Sequence, residues 1–163
     1  MIATAVLLTA TAASALTPVG PAGAGATRVG VVGDSLTYFA GRDCGLQRRV
    51  ATAGYFVAGV DGRVGRIIVG GIPAWQVSWH ADVAVVGLGT NDTRLWPYPN
   101  MWSTAIQALM RRIGPRVKVV WVNVWRWDSA WGDPARGRRL ASQFNRVLNT
   151  ELAKFGRRVT IVN

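Results

Sequence analysis

Five short apolar runs recur along the chain, and each ends at glycine or polar residues. They span residues 27–32, 55–60, 82–88, 116–125 and 157–163. Short runs rich in valine and bounded by turn residues predict buried β-strands. The unbroken apolar character of the third run is typical of a parallel sheet that is covered on both faces.

Between these runs, apolar residues recur at helical spacing. The pattern predicts helices over residues 36–51, 73–79, 101–113 and 132–156, with a glycine-rich loop over 61–71. In the last helix Asp133 is the expected N-cap, Pro134 lies in the first turn and Gly156 is the expected stop. Its predicted buried stripe consists of Leu140, Phe144, Val147, Leu148, Leu152 and Phe155.

Strands and helices alternate throughout, which predicts an α/β fold: a three-layer α/β/α sandwich around a five-stranded parallel sheet. We expect one domain over residues 27–163, preceded by a leader over 1–26. The leader has an apolar run and an Ala-Ser-Ala pattern that resemble an export signal, but no basic residue precedes Arg28. We therefore expect a secreted or cell-envelope protein, with a cytoplasmic location left open, and no transmembrane anchor because the run is too short.

The charge of the chain changes this picture only slightly. The formal net charge is +11, carried mostly by arginines that are dispersed in pairs such as Arg48-Arg49 and Arg138-Arg139. Nucleic acid is therefore not the expected partner, although a basic surface that binds anionic lipid or nucleic acid remains an alternative. Cys44 is the only cysteine, which excludes an intrachain disulfide, and we expect it to be half-buried in the first helix.

Three polar or glycine-rich stretches directly follow the first three strands: Gly33-Asp34-Ser35-Leu36, residues 62–66 and Gly89-Thr90-Asn91-Asp92. Because parallel strands bring their carboxyl ends to one edge, we expect these stretches to meet there. Ser35 would lie at a helix N-terminus, where N–H groups favour a developing negative charge. Taken singly, Ser35 and Asn91 are also ordinary helix-capping or turn residues.

Together, these blocks resemble the SGNH, or GDSL, family of serine esterases and lipases, from Arg28 onward. The resemblance implies a flavodoxin-like SGNH hydrolase fold and hydrolysis of carboxylic esters, with Ser35 as the nucleophile. It also implies an oxyanion hole formed by the N–H groups of Ser35 and Gly65 and the side-chain amide of Asn91. Other glycines compete with Gly65 for this role, namely Gly59, Gly62, Gly70 and Gly71. We expect Asp34 to support the turn by bonding nearby backbone N–H groups.

The resemblance further implies small esters, lipids or acylated glycans as substrates, and no metal or organic cofactor. The oligomeric state is not predicted. Relatives supply the general base from a D-x-x-H block beyond the fifth strand, and this sequence contains no such block before Asn163. Neither Asp128 nor Asp133 matches it. We therefore expect a C-terminally incomplete domain without its last helix, and feeble or no esterase activity from this chain by itself.

The single histidine, His80, precedes the third strand and is expected at the opposite edge of the sheet from Asn91. An alternative function is therefore a non-catalytic module that binds an acyl or glycan ligand.

Five tryptophans are expected in or near the loops above the strand ends, where they line an acyl pocket, form a sugar platform or pack: Trp96, Trp102, Trp125, Trp127 and Trp131.

Overall fold

The computed structural model describes residues 25–95, 97–125 and 133–163. Its strands are β1 (Arg28–Gly33), β2 (Phe56–Gly62), β3 (Val83–Gly87), β4 (Lys118–Val122) and β5 (Val159–Val162). Its helices are α1 (Ser35–Asp43), α2 (Leu46–Thr52), α3 (Ile68–Ala74), α4 (Asp92–Leu95), α5 (Pro99–Ile113) and α6 (Pro134–Ala153). Apart from residues 25 and 26, the predicted leader lies outside the described residues.

The strands form one parallel sheet in the order β2-β1-β3-β4-β5. The predicted α/β class and the five-stranded parallel sheet are confirmed. Since every strand runs in the same direction, the loops that follow β1, β2 and β3 leave the sheet at one edge, which we call the carboxyl edge.

Each face of the sheet has its own core because successive side chains on a strand point to opposite faces. On one face, Val32, Val86 and Trp121 pack with α3, α5 and α6 in the larger core. On the other face, Val31 and Val57 belong to a smaller cluster that Leu46 and Val50 of α2 pack against. The two cores give the three layers that alternation predicts.

The predicted helix over residues 36–51 is interrupted. Gly45 adopts a left-handed conformation with φ +62°, so α1 ends before it and α2 begins after it. Cys44 lies at this break and is exposed, so the expectation of a half-buried cysteine was wrong.

The helix predicted over 73–79 was also misplaced. The observed helix α3 begins inside the predicted glycine-rich loop, and only a single 3-10 turn, Val77–Trp79, follows it. Gly71 in α3 faces Leu88 and Leu109, where a Cβ would come within 2.5 Å of the Leu88 Cδ1 atom. Close packing of this helix therefore favours a glycine that intrinsic helix propensity disfavours.

Helix α6 begins as predicted. Its N-cap, Asp133, accepts hydrogen bonds through Oδ1 from the N–H groups of Ala135 at 2.9 Å and Arg136 at 3.1 Å. The helix ends at Ala153, a few residues before the predicted Gly156 stop. Within the described ranges, no helix combines the length and the apolar character needed to cross a bilayer.

Candidate active site

Ser35 is the first residue of α1 and lies one residue beyond the turn that leaves β1. Asp34 caps the helix: its Oδ1 accepts a hydrogen bond from the Leu36 N–H at 2.9 Å. The Asp34 N–H donates to the carbonyl oxygen of Gly87, the last residue of β3, at 3.1 Å. Asp34 therefore fixes the turn that carries Ser35 and ties it to the neighbouring strand, while Ser35 itself remains half-buried.

The loop after β2 is hydrogen-bonded to the end of β1. The carbonyl oxygen of Gly33 accepts from the Arg63 N–H at 3.2 Å and from Nη1 of Arg66 at 3.1 Å. Gly65 lies between these two arginines, is exposed and has φ +76°, and a Cβ there would meet nothing within 4 Å. Its backbone is therefore open to an approaching molecule.

The competing glycines occupy other environments. Gly59 and Gly62 lie within β2, and Gly70 and Gly71 lie within α3. Added Cβ atoms would collide with the Trp79 ring at Gly59 and with the backbone of Tyr38 at Gly62. These β2 glycines thus serve close packing, and Gly65 is the candidate that lies in the loop beside the Ser35 turn.

Arg66 is a buried residue that sequence reasoning did not single out. Its guanidinium donates through Nη1 to the backbone oxygen of Asp61 and through Nη2 to the Asp61 carboxylate, both at 2.6 Å, in addition to Gly33. Only 8% of Arg66 is exposed. It therefore joins the ends of β1 and β2 beneath the loop. The only feature of the sequence that pointed to Arg66 was its place in a glycine-rich stretch.

Asn91 brings the third polar stretch to the same place. Its Nδ2 atom donates to the backbone oxygen of Arg66 at 3.1 Å. A primary amide has two hydrogens on this nitrogen, and the Arg66 carbonyl accepts one of them. The structure thus brings the Ser35 turn, the Gly65 loop and Asn91 together in one hydrogen-bonded network at the carboxyl edge.

The carboxylate of Asp92 lies beneath this network. It is 2% exposed, and both of its oxygens accept from the Ile68 N–H at 3.1 Å. Burial raises the pKa of Asp92 to about 6, and the nearby Asp34 charge adds to this rise while the hydrogen bond from Ile68 opposes it. Asp92 therefore anchors the start of α3 to the start of α4.

Gly89 allows the loop after β3 to pack closely against α6. It has φ +124°, and a Cβ there would overlap the Phe144 ring. Its carbonyl oxygen accepts from the Thr93 N–H at 3.1 Å. Only glycine provides both this conformation and this clearance.

His80 lies at the opposite edge of the sheet. Its carbonyl oxygen accepts from Nε of Arg28, the first residue of β1, at 3.0 Å, whereas Ser35 follows the end of that strand. Six residues of strand separate the two ends by roughly 20 Å. His80 is exposed and lies too far from Ser35 to take its proton.

The tryptophans have different environments. Trp102 lies near the start of α5, is 1% exposed and packs edge-to-face on Phe144, so it has the packing role among the expected alternatives. Trp125 follows β4 and is 79% exposed. Trp96, Trp127 and Trp131, together with Asp128, lie outside the described residues. Within the part of the chain that is described, no three His, Cys, Asp or Glu side chains are grouped to hold a metal ion.

Comparisons with known proteins identify the family and the fold. The sequence profile of the GDSL-like Lipase/Acylhydrolase family matches residues 31–163. No curated protein matches the chain significantly.

Solved structures with the same fold include hydrolases and an acyl transferase. Axe2, an acetyl xylan esterase from Geobacillus stearothermophilus, is 17% identical, with a TM-score of 0.62 over 84% of this chain and 76% of that one. A GDSL-like lipase from Bacteroides thetaiotaomicron is 17% identical, with a TM-score of 0.66 over 84% and 68%. The C-terminal catalytic domain of peptidoglycan O-acetyltransferase A from Streptococcus pneumoniae is 17% identical, with a TM-score of 0.57 over 83% and 68%. At such identities the likeness shows a shared fold.

Proposed function

The chain belongs to the GDSL-like lipase/acylhydrolase family, and on this premise we propose that it hydrolyses carboxylic esters with Ser35 as the nucleophile. The observation that carries the proposal is the network that joins the Ser35 turn to Gly65 and Asn91 through Gly33 and Arg66. The Ser35 hydroxyl oxygen attacks the ester carbonyl carbon and its proton passes to a base. The tetrahedral intermediate then expels the alcohol, and water releases the acid from the acyl-enzyme.

The oxyanion of that intermediate is held by three donors: the N–H groups of Ser35 and Gly65, and Nδ2 of Asn91. Two features support this assignment. Ser35 begins a nine-residue helix, whose positive end favours a nearby negative charge. The bond from Asn91 to the Arg66 carbonyl fixes the amide before substrate binds, as electrostatic preorganisation requires.

We infer that exposed apolar residues next to the site residues in sequence receive the acyl group. Three exposed apolar side chains lie beside the site residues: Leu36 follows Ser35, Val64 precedes Gly65, and Leu95 ends the helix that begins after Asn91. They offer an apolar rim to the acid part of an ester, because covering exposed apolar surface is favourable. The similar structures include a lipase, an acetyl xylan esterase and an O-acetyltransferase domain, which supports acyl chemistry.

We assign no described residue as the general base, since His80 lies at the opposite edge. Without such a base we propose that Ser35 turns over ester only slowly, because its hydroxyl is a weak nucleophile until a neighbouring group takes the proton. The same observation favours a second candidate function, a module that binds acylated ligands without hydrolysing them.

Hydrolysis of p-nitrophenyl acetate by the wild type and by Ser35→Ala tests the proposal. We expect Ser35→Ala to reduce the rate to that of buffer. Ser78→Ala is a matched control, because Ser78 is exposed in the 3-10 turn at the other edge. Equal rates for wild type and Ser35→Ala would rule out Ser35 as the nucleophile. Saturable ligand binding without any turnover would favour the binding module.

A further inference from the structure

The edge of the sheet opposite Ser35, which we call the amino edge, carries a cluster of cations where β4 and β5 begin. Helix α5 ends at this edge and a turn leads from it into β4, while a 3-10 turn, Gly156–Arg158, leads into β5. Five exposed cations lie in these segments, and we call them the basic corner: Arg111, Arg112, Arg116, Lys118 and Arg157. The site proposed above uses none of them.

Arg158 ties the two turns of the basic corner to each other. Its Nη1 atom donates to the carbonyl oxygen of Gly114 at 2.6 Å and to that of Val117 at 2.9 Å. Arg116 lies between these two acceptors in the chain, and Arg157 directly precedes the donor. The bonds therefore hold the turns that carry Arg116 and Arg157 next to each other.

The cations of the basic corner are available to a partner. None of the five forms a side-chain hydrogen bond or an ion pair with another described residue. The acidic residues at this edge are already engaged. Glu151 pairs with Lys154 at 2.7 Å, and the Asp82 carboxylate accepts from the Arg28 N–H at 2.8 Å. The corner therefore offers uncompensated positive charge to an anionic partner.

The shape of the basic corner favours a flat partner. It consists of one helix end, two strand starts and two turns, which lie along one edge of the sheet. Proteins that read duplex DNA insert a helix or a strand pair lengthwise into a groove, and those that bind single strands stack bases on exposed aromatic rings. Phe155, the aromatic residue beside the corner, is half-buried under the Arg158 guanidinium. A flat anionic surface therefore fits better than nucleic acid.

We propose that the basic corner docks the protein on an anionic lipid bilayer, with Ser35 directed away from the lipid. The guanidinium and ammonium groups pair with lipid phosphates. Ser35 follows the end of β1, whereas the corner lies where β4 and β5 begin, so the length of a strand, roughly 20 Å, separates them. The bilayer is thus a surface for attachment, and the bound protein presents Ser35 to the solution. The docking is independent of the function proposed above.

Co-sedimentation with vesicles tests the docking. The vesicles contain equal parts of phosphatidylglycerol and phosphatidylcholine, and vesicles of phosphatidylcholine alone are the reference. We expect binding only to the anionic vesicles, and weaker binding as the salt concentration rises. Combining Arg116→Gln, Lys118→Gln and Arg157→Gln should weaken binding about 100-fold.

The matched control combines Arg136→Gln, Arg138→Gln and Arg139→Gln, which removes the same charge from exposed residues at the start of α6. This variant should keep most of the binding. The proposal is overturned if the control weakens binding as much as the corner variant, since net charge alone then explains the effect. It is also overturned if the corner variant binds like the wild type, or if duplex DNA binds through the corner more tightly than the vesicles do.

A fluorescent label tests the orientation. In a Cys44→Ser background, Ala153→Cys places an environment-sensitive dye at the exposed end of α6 beside the corner, and Leu95→Cys places it at the exposed end of α4 near Asn91. On anionic vesicles, the emission of the dye at position 153 should shift to the blue and that at position 95 should not. The reverse pattern would overturn the proposal. Neither measurement depends on hydrolysis, so failure of the esterase proposal and failure of the docking are distinguishable.

Discussion

The side-chain nitrogen of Asn91 lies 3.1 Å from the backbone oxygen of Arg66 and donates a hydrogen bond to it. This bond joins the loop after β3 to the loop after β2. It also orients an amide that keeps a second hydrogen for another acceptor. The proposed oxyanion hole therefore depends on a contact between two loops that are 25 residues apart in sequence.

Replacing Asn91 tests this relationship. Asn91→Ala removes one oxyanion donor, and we expect kcat/KM for p-nitrophenyl acetate to fall about 10²- to 10³-fold. Asn91→Asp should lose at least as much, because a carboxylate repels the oxyanion. Asn100→Ala, an exposed change in the first turn of α5, is the control. Full activity of Asn91→Ala with unchanged melting temperature would contradict the assignment.

Gly65→Ala and Gly114→Ala form a matched pair. Both glycines have positive φ, +76° and +90°, and neither would place a Cβ within 4 Å of another group. Each substitution should therefore cost about 1 to 3 kcal/mol of stability from backbone strain alone, measured by urea unfolding. Only Gly65→Ala should also lower esterase activity, since Gly114 ends α5 away from the site. Equal activity of the two variants would remove Gly65 from the oxyanion hole.

The strands and the meeting of the polar stretches were predictable from sequence. Buried parallel strands are short apolar runs, so the runs before Gly33 and Gly89 identified β1 and β3. The direction of parallel strands then placed Ser35 and Asn91 at one edge without any coordinates. These predictions needed only local patterns and one rule of topology.

Long-range contacts explain what the sequence did not reveal. Nothing local distinguishes Arg66 from the other arginines, because its role depends on Gly33 and Asp61 approaching it in space. Likewise α3 contains Gly71 because Leu88 packs above it, which overrides helix propensity. The two hydrogen bonds between Asn145 and the Val124 backbone were not predicted either, since these residues lie 21 positions apart in sequence.

Arg66 should be required for stability. Arg66→Met removes the arginine partner of the Asp61 carboxylate and one of the two hydrogen bonds to the Gly33 carbonyl, and we expect a loss of about 3 kcal/mol in the free energy of unfolding. Arg66→Lys should not restore it, because an ammonium group lacks the fork that reaches these acceptors together. Arg63→Gln, an exposed change in the same loop, is the control. Wild-type stability of Arg66→Lys in urea titrations would refute the role of the fork.

Asp92 makes stability depend on pH. Burial raises its pKa in the folded protein to about 6 from an ordinary value of 3.8. As pH rises from about 4 to about 6, the unfolded chain loses this proton while the folded protein keeps it. The unfolded state therefore binds fewer protons in this window, and the free energy of unfolding falls as pH rises. The contribution is fully present below about pH 4 and is lost above about pH 6, with a total of about 3 kcal/mol.

Asp92→Asn should abolish this slope, because the amide cannot ionise while its oxygen still accepts from the Ile68 N–H. Urea unfolding at several pH values between 4 and 7 measures it: the stability of Asp92→Asn relative to wild type should rise through this range by about 3 kcal/mol. Asp43→Asn is the control: Arg42 beside it lowers the pKa of this exposed carboxyl, so Asp43 titrates below this pH range and its replacement should leave the slope unchanged. Parallel pH profiles for wild type and Asp92→Asn would mean that the buried carboxyl stays ionised in the folded protein. In that case the hydrogen bond from the Ile68 N–H would lower the pKa of Asp92 at least as much as burial raises it.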